Sequence, residues 1–299
     1  MKINAKVYLY VVLCILFWAL IPVCSKKVLI GMNNISMMFF SNIISSVTML
    51  AYIAYSKKFH IFKLYSVKDY FYMFFLGFLG SFLYYVFLYG AFSIASAQEV
   101  FIINYLWPIL IVLLALFIFK EPLTLMKAIS ILISFLGVVI IATKGSLFSL
   151  DFSNIKGDVL AFLAALSFAL FSVLGRNAKY DESIAVFIYF ASSSVLSLFF
   201  IGYMNVNVIN FNILFWLFVN GILANGISYV FWFFALKNGN IHIVSNSVYL
   251  TPFVSLLFIY ILLKEDIHTY SFLALIFIIS GIALQSLATL HNNKKSEIT

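Results

Sequence analysis

The sequence predicts an all-α integral membrane protein whose ten transmembrane helices form two inverted five-helix repeats. Three observations predict it. Hydrophobic residues fill 65% of the 299 positions and charged residues only 9%, whereas a soluble domain carries about 25% charged residues. Ten apolar runs reach the roughly 20 residues that cross a bilayer: near 7–25, 33–55, 70–92, 98–119, 125–143, 158–175, 183–204, 212–236, 241–263 and 268–288. The chain also matches itself at an offset of 144 residues.

The first run follows Lys2 and Lys6 as a secretion signal would, but no small-x-small cleavage site follows it, so it reads as a retained span. Its Cys14 and Cys24 are the only cysteines; ten residues of helix hold them about 15 Å apart, too far for a disulfide. The net charge of +8 has the look of a nucleic-acid binder, yet its distribution says otherwise. With the N-terminus inside, alternate connections place 13 of the 18 basic residues on the inner side, among them Lys57, Lys58, Lys120 and Arg176. Lys26, Lys27, Lys144, Lys156 and Lys264 fall outside. That is the positive-inside bias of a multi-pass protein of a bacterial inner membrane with both termini cytoplasmic. The lipid bilayer is its partner, and nucleic acid is not.

The internal match aligns 77–137 with 221–281 without a gap, with 14 identities in 61 positions, including Gly77, Tyr85, Tyr105, Pro108, Lys120, Glu121 and Gly137. A composition this skewed gives roughly five by chance. Residues 1–150 thus form one repeat and 151–290 the second, with 291–299 a polar cytoplasmic tail. Five spans end on the side opposite their start, so the second copy enters the membrane upside down. Inverted repeats that meet at the midplane characterise secondary transporters.

The spans then supply candidate solute contacts in order. Trp18 lies in span 1, opposite Phe168 of span 6 at an offset of 150. Span 3 carries Gly77, Ser81, Tyr84 and Tyr85 on one stripe, and span 8 carries Gly221, Asn225, Ser228, Tyr229 and Trp232 on the matching one. The glycines read as packing; Tyr85, Asn225, Tyr229 and Trp232 read equally as packing or as cavity wall. Spans 4 and 9 hold Asn104-Tyr-Leu-Trp-Pro108 and Val248-Tyr-Leu-Thr-Pro252. Pro108 and Pro252 each remove a backbone donor and crowd the carbonyl four residues back, which predicts kinks facing a polar interior. Asn246 and Tyr249 share one face of span 9, while Tyr105 and Trp107 flank the kink of span 4. No Asp, Glu, Lys, Arg or His falls near the centre of a span. Glu99 and His242 open spans 4 and 9 and read first as solvated interfacial groups, with proton coupling the sharper alternative.

No phosphate loop, H-E-x-x-H or Cys/His cluster is present, so no cofactor and no metal is expected, and no enzyme. An uncharged interior suits a small-molecule solute that is apolar or carries compensating charges, with the rings offering stacking faces.

At this point the chain resembles a known family. The Pro122-Leu-Thr run after Lys120-Glu121, Gly157-Asp158 opening span 6 and L-A-A-L-S-F-A-L at 163–170 are similar to the EamA family of the drug/metabolite transporter superfamily. The runs at 99–108 and 239–255 look most like those of bacterial aromatic amino acid exporters. The resemblance implies export of aromatic or other neutral amino acids through a central cavity, by a monomer or homodimer. It places Asn104, Tyr105, Trp107, Pro108, Tyr249, Thr251 and Pro252 at the site. A same-fold exporter of drugs or nucleosides is the alternative, and a membrane enzyme or scaffold ranks below it.

Overall fold

The computed structural model describes residues 5–118, 124–142, 145–146, 154–175, 178–238, 247 and 250–296. It is helical throughout. The elements are α1 Ala5–Ala19, α2 Ile21–Val28, α3 Asn34–Tyr55, α4 Val67–Gly77, α5 Tyr84–Ile94, α6 Ala97–Asn104, α7 Trp107–Ile118, α8 Leu125–Ala142, α9 Ile155–Gly175, α10 Glu182–Leu198, α11 Phe211–Phe218 and α12 Ser228–Asn238, then α13 Thr251–Phe258 and α14 Thr269–Ser296. Among the described residues, five continuous helices are long and apolar enough to cross a membrane: Lys6–Val28, Asn34–Tyr55, Val67–Ile94, Ile155–Gly175 and Phe211–Trp232. Five shorter apolar helices accompany them.

Side-chain caps set several starts. Asn33, Ser66, Ser96, Asp181 and Asn210 each accept hydrogen bonds from the first free amides of the helix that follows. Three joints follow from other causes. The first span breaks at Leu20, ahead of Pro22 in the first turn of α2. The fourth breaks at Tyr105 and Leu106, between α6 and α7, two residues before Pro108. In the third and eighth, π-helical segments Phe78–Leu83 and Val219–Ile227 link α4 to α5 and α11 to α12. Two details concern the ends of the expected spans. The tail after residue 290 continues as helix to Ser296. The first half of the expected ninth span, 241–249, lies outside the described residues except Ser247.

The packing partners come in reciprocal sets. α3 packs on α10 and α8 on α14; α5 packs on α9 as α1 packs on α12; α7 packs on α9 as α1 packs on α13. At the α8–α14 crossing the reciprocity reaches single residues. A Cβ on Gly137 would lie 2.7 Å from the Ala274 carbonyl oxygen, and one on Gly281 would lie 2.6 Å from that of Ser130. Both pairs differ by the same 144 residues as the sequence repeat. Only hydrogen fits at either contact, since helices in lipid associate by close backbone approach. Gly281→Ala is therefore expected to cost about 1–3 kcal/mol by overpacking. Gly202→Ala, where nothing lies within 4 Å, should cost under about 0.5 kcal/mol. Thermal unfolding of the two variants in detergent checks the contrast.

Candidate functional site

Aromatic and amide side chains from six spans meet in the middle of the bundle. Tyr84 and Tyr85 begin α5, directly after the first π-helical segment. The Tyr85 hydroxyl donates to Asn225 Oδ1 (2.8 Å) and its ring stacks on Tyr89 at 5.0 Å. Asn220 Nδ2 donates to the Tyr89 hydroxyl (2.8 Å), and Asn104 Nδ2 to that of Tyr84 (3.3 Å). Trp18 Nε1 donates to Ser228 Oγ (2.9 Å), and its ring meets those of Tyr229 and Trp232 edge-on. Phe190 of α10 contacts the rings of both Tyr85 and Tyr229. Phe168 of α9 bridges Tyr84 and Trp107.

Three buried amide atoms in this cluster have no hydrogen-bond partner among the described residues: the donor Asn225 Nδ2 and the acceptors Asn104 Oδ1 and Asn220 Oδ1. Leaving such groups unmade costs about 1–3 kcal/mol each. A ligand that supplies one acceptor and up to two donors would recover that cost. Among the described residues of the cluster there is no Asp, Glu, Lys, Arg or His, so an ion that brings no compensating charge would meet the full desolvation penalty there.

The two ends of the bundle differ. At the end that holds Lys6 and Lys58, a cavity of about 510 Å³ opens between α1, α3, α10 and α12. Lys6, Tyr52, Lys58, Glu182, Val230 and Phe231 line it together with the buried Met49 and Val186. Val186 sits one turn before Phe190, so the aromatic cluster closes its inner end. Lys58 Nζ pairs with Asp181 Oδ2 at 2.8 Å. Burial works against both charges, but the pair's hydrogen bond and mutual attraction outweigh it, holding Asp181 below the usual carboxylate range and Lys58 above the usual lysine range.

The sign follows from linkage. Asp181's contribution to stability is fully present above its unfolded pKa and is lost as pH falls through its lower folded value; Lys58's is lost only as pH rises past its raised one. Asp181→Asn keeps the helix cap but breaks the pair. It should lower stability by under about 1 kcal/mol at neutral pH, given partial exposure. The difference from the parental protein should shrink as pH falls below the usual carboxylate range and vanish once Asp181 is protonated in the folded state. Thermal melts across pH read this directly.

The opposite end is shut. The Lys26 ammonium donates to the Ala95 carbonyl and lies within electrostatic reach of Glu265 and Glu99. The Ala97 amide donates to Glu265 Oε1 (3.4 Å), and Gln98 Nε2 to the Asp266 carbonyl (3.1 Å). Beside them, the backbone around Gly31–Asn33 bonds to that of Asn205–Val208. Glu99, expected to be solvated, is only 7% exposed. The closure that covers it also brings it the Lys26 charge.

The structure brings together Trp18, Tyr85, Asn104, Tyr105, Trp107, Asn225, Tyr229 and Trp232. Asn246, Tyr249 and His242 lie outside the described residues. Pro252 is buried in the first turn of α13. Tyr89, Asn220, Phe190 and Phe168 are additions that sequence reasoning missed. Asn220 and Asn225 stand five residues apart, a spacing that separates them on an α-helix and aligns them only on a π-helix. No group of three or more potential metal ligands occurs among the described residues.

The profile of the EamA-like transporter family matches residues 5–143 and again 155–287. An uncharacterized transporter of Archaeoglobus fulgidus is 30% identical over 163 residues, 53% of this chain and 56% of the relative. Uncharacterized transporter YxxF of Bacillus subtilis is 27% identical over 205 residues, 67% of this chain and 64% of the relative. The matches thus span less than two thirds of either relative's length. A solved crystal structure superposes with TM-score 0.67 at 19% identity, covering 96% of this chain and 98% of the other, which speaks for the fold alone. These relatives point to a multi-pass membrane transporter rather than an enzyme. Both repeats of the family's profile lie on this chain, and it belongs to the EamA-like transporter family.

Proposed function

We propose that the chain is a ten-span carrier of the bacterial inner membrane that exports aromatic or other neutral amino acids by alternating access, without ATP. The observation that carries it is the uncharged aromatic cluster with one unpartnered donor, Asn225 Nδ2, and two unpartnered acceptors, Asn104 Oδ1 and Asn220 Oδ1. A zwitterion matches that set: its carboxylate takes the donor, its ammonium, with three N–H groups, the acceptors, and its side chain lies among Trp18, Tyr85, Trp107 and Tyr229. Tyr105 and Trp232 extend the wall. Tyr249, matched to Tyr105 by the repeat, and Asn246 on the same face of span 9 are assigned to the same site, and Glu99 and His242 are the candidates for proton coupling.

Residues 1–150 and 151–290 are the two halves in this reading, with both termini cytoplasmic. The two profile matches and the reciprocal packing at Gly137 and Gly281 support it. The cavity at Lys58 is then the inner entrance and the Lys26 closure the outer gate, as in an inward-facing carrier. Paired kinks at Pro108 and Pro252 let the halves exchange those roles.

Proteoliposomes loaded with radiolabelled amino acids test it, with and without an imposed pH gradient. Saturable movement of phenylalanine, tyrosine or tryptophan is expected. Movement of nucleosides or drugs alone would replace the solute assignment, and movement of nothing would remove the transport assignment.

A further inference from the structure

On the bundle's outer surface, away from the central cluster, a second feature combines charge, rings and lipid exposure. A concavity of about 480 Å³ is lined by Tyr65, Asp69, Tyr72, Lys179 and Tyr180. The Tyr65 and Tyr180 rings meet edge-on at 5.4 Å, and the Tyr180 hydroxyl donates to Asp69 Oδ1 (3.3 Å). Asp69 Oδ2 completes the cap of α4 by accepting from the Ser66 amide (2.8 Å). No cation pairs with this carboxylate among the described residues. A second concavity of about 480 Å³ shares Asp69, Tyr72 and Tyr180 and adds Lys68, Phe71 and Phe75. Lys68, Phe71, Tyr72 and Phe75 fall on one stripe of the helix that starts at Val67. The stripe descends about 10 Å from the headgroup level into the span, and Phe71 is 72% exposed.

We propose that this groove is a binding site for an amine-headed phospholipid, phosphatidylethanolamine. Its ammonium has N–H donors for the Asp69 carboxylate and a positive charge for the faces of Tyr65, Tyr72 and Tyr180. Its phosphate falls to the Lys68 and Lys179 ammonium groups at the rim. An acyl chain runs down Phe71 and Phe75, and that apolar stripe selects a lipid over a free amine. Tyrosines at an interface also serve as general anchors with no headgroup choice, and the two roles make opposite forecasts.

Purified full-length protein, stripped of lipid in detergent, is given phosphatidylethanolamine or phosphatidylglycerol singly, and bound lipid is read by native mass spectrometry. One phosphatidylethanolamine should be retained at roughly tenfold higher occupancy, in keeping with about 1–2 kcal/mol for a cation against aromatic and carboxylate groups. Asp69→Asn and Tyr180→Leu should each erase that preference, and the second leaves the helix cap intact. Equal retention of the two lipids, or a preference that survives both substitutions, overturns the proposal.

Discussion

Lys26→Met is expected to open the shut end of the bundle and to reduce transport at least tenfold. The ammonium is the cation that faces Glu265 and Glu99, and it also holds the Ala95 carbonyl. Hydrogen bonds to charged groups are worth about 1.5–3 kcal/mol each. Losing one such bond from a single conformation shifts the balance of open to closed states by roughly ten- to a hundredfold. A cysteine reporter reads the shift. Ala97 is fully buried beneath the closure, so Ala97→Cys, in a background with Cys14 and Cys24 replaced by serine, should react slowly with an impermeant maleimide. Adding Lys26→Met should speed that reaction by about the same factor. Unchanged labelling together with unchanged transport would show that Lys26 is packing and nothing more.

Asn225→Leu should abolish most transport, lowering efficiency roughly 10–100-fold, the worth of one hydrogen bond to a charged solute group. Asn225 also holds the Tyr85 hydroxyl, so loss of activity alone is ambiguous. Tyr85→Phe settles it. That variant breaks the same bond but keeps the Asn225 amide and the ring, and should cost under about tenfold. If the two substitutions are equally damaging, Asn225 positions Tyr85 and does not touch the solute. Detergent-solubilised yield and melting temperature separate either result from misfolding.

Much of this architecture was legible in the residues. Five of the ten apolar runs coincide with continuous helices long enough to cross a bilayer and the other five with shorter apolar helices, and the 144-residue match relates Gly137 and Gly281 at a crossing where each meets the backbone of the partner helix. Tyr85, Asn225 and Tyr229 stand out in the sequence because each lies on a stripe of regular helical spacing, and Trp18 because the repeat matches it to Phe168. Tyr89 and Asn220 were missed because their meeting depends on a π-helical turn, and no residue type announces one. The shut end was missed for a different reason. Charges near the ends of spans read as solvated by default, and Lys26 and Glu265 are 239 residues apart, so only the folded chain shows them facing one another.

The π-helical segments Phe78–Leu83 and Val219–Ile227 carry a consequence for chain length. Each wide turn frees a backbone carbonyl from its usual partner, and serine hydroxyls take up the slack: Ser193 at the Ser81 oxygen and Ser45 at the Gly221 oxygen, each at 3.0 Å. Removing one residue from within 78–83 would let an ordinary α-helix close the gap and would turn everything on one side of the cut by about 100°. Tyr85, Tyr89 or the stripe at Phe71 would then face the wrong neighbours, with every other side chain retained and every helical backbone bond made. A single-codon deletion there should therefore be far more harmful than deletion of the exposed Gly202, which has nothing within 4 Å of its Cβ position, and related chains that keep this interior should also keep the count of residues between Asp69 and Tyr85.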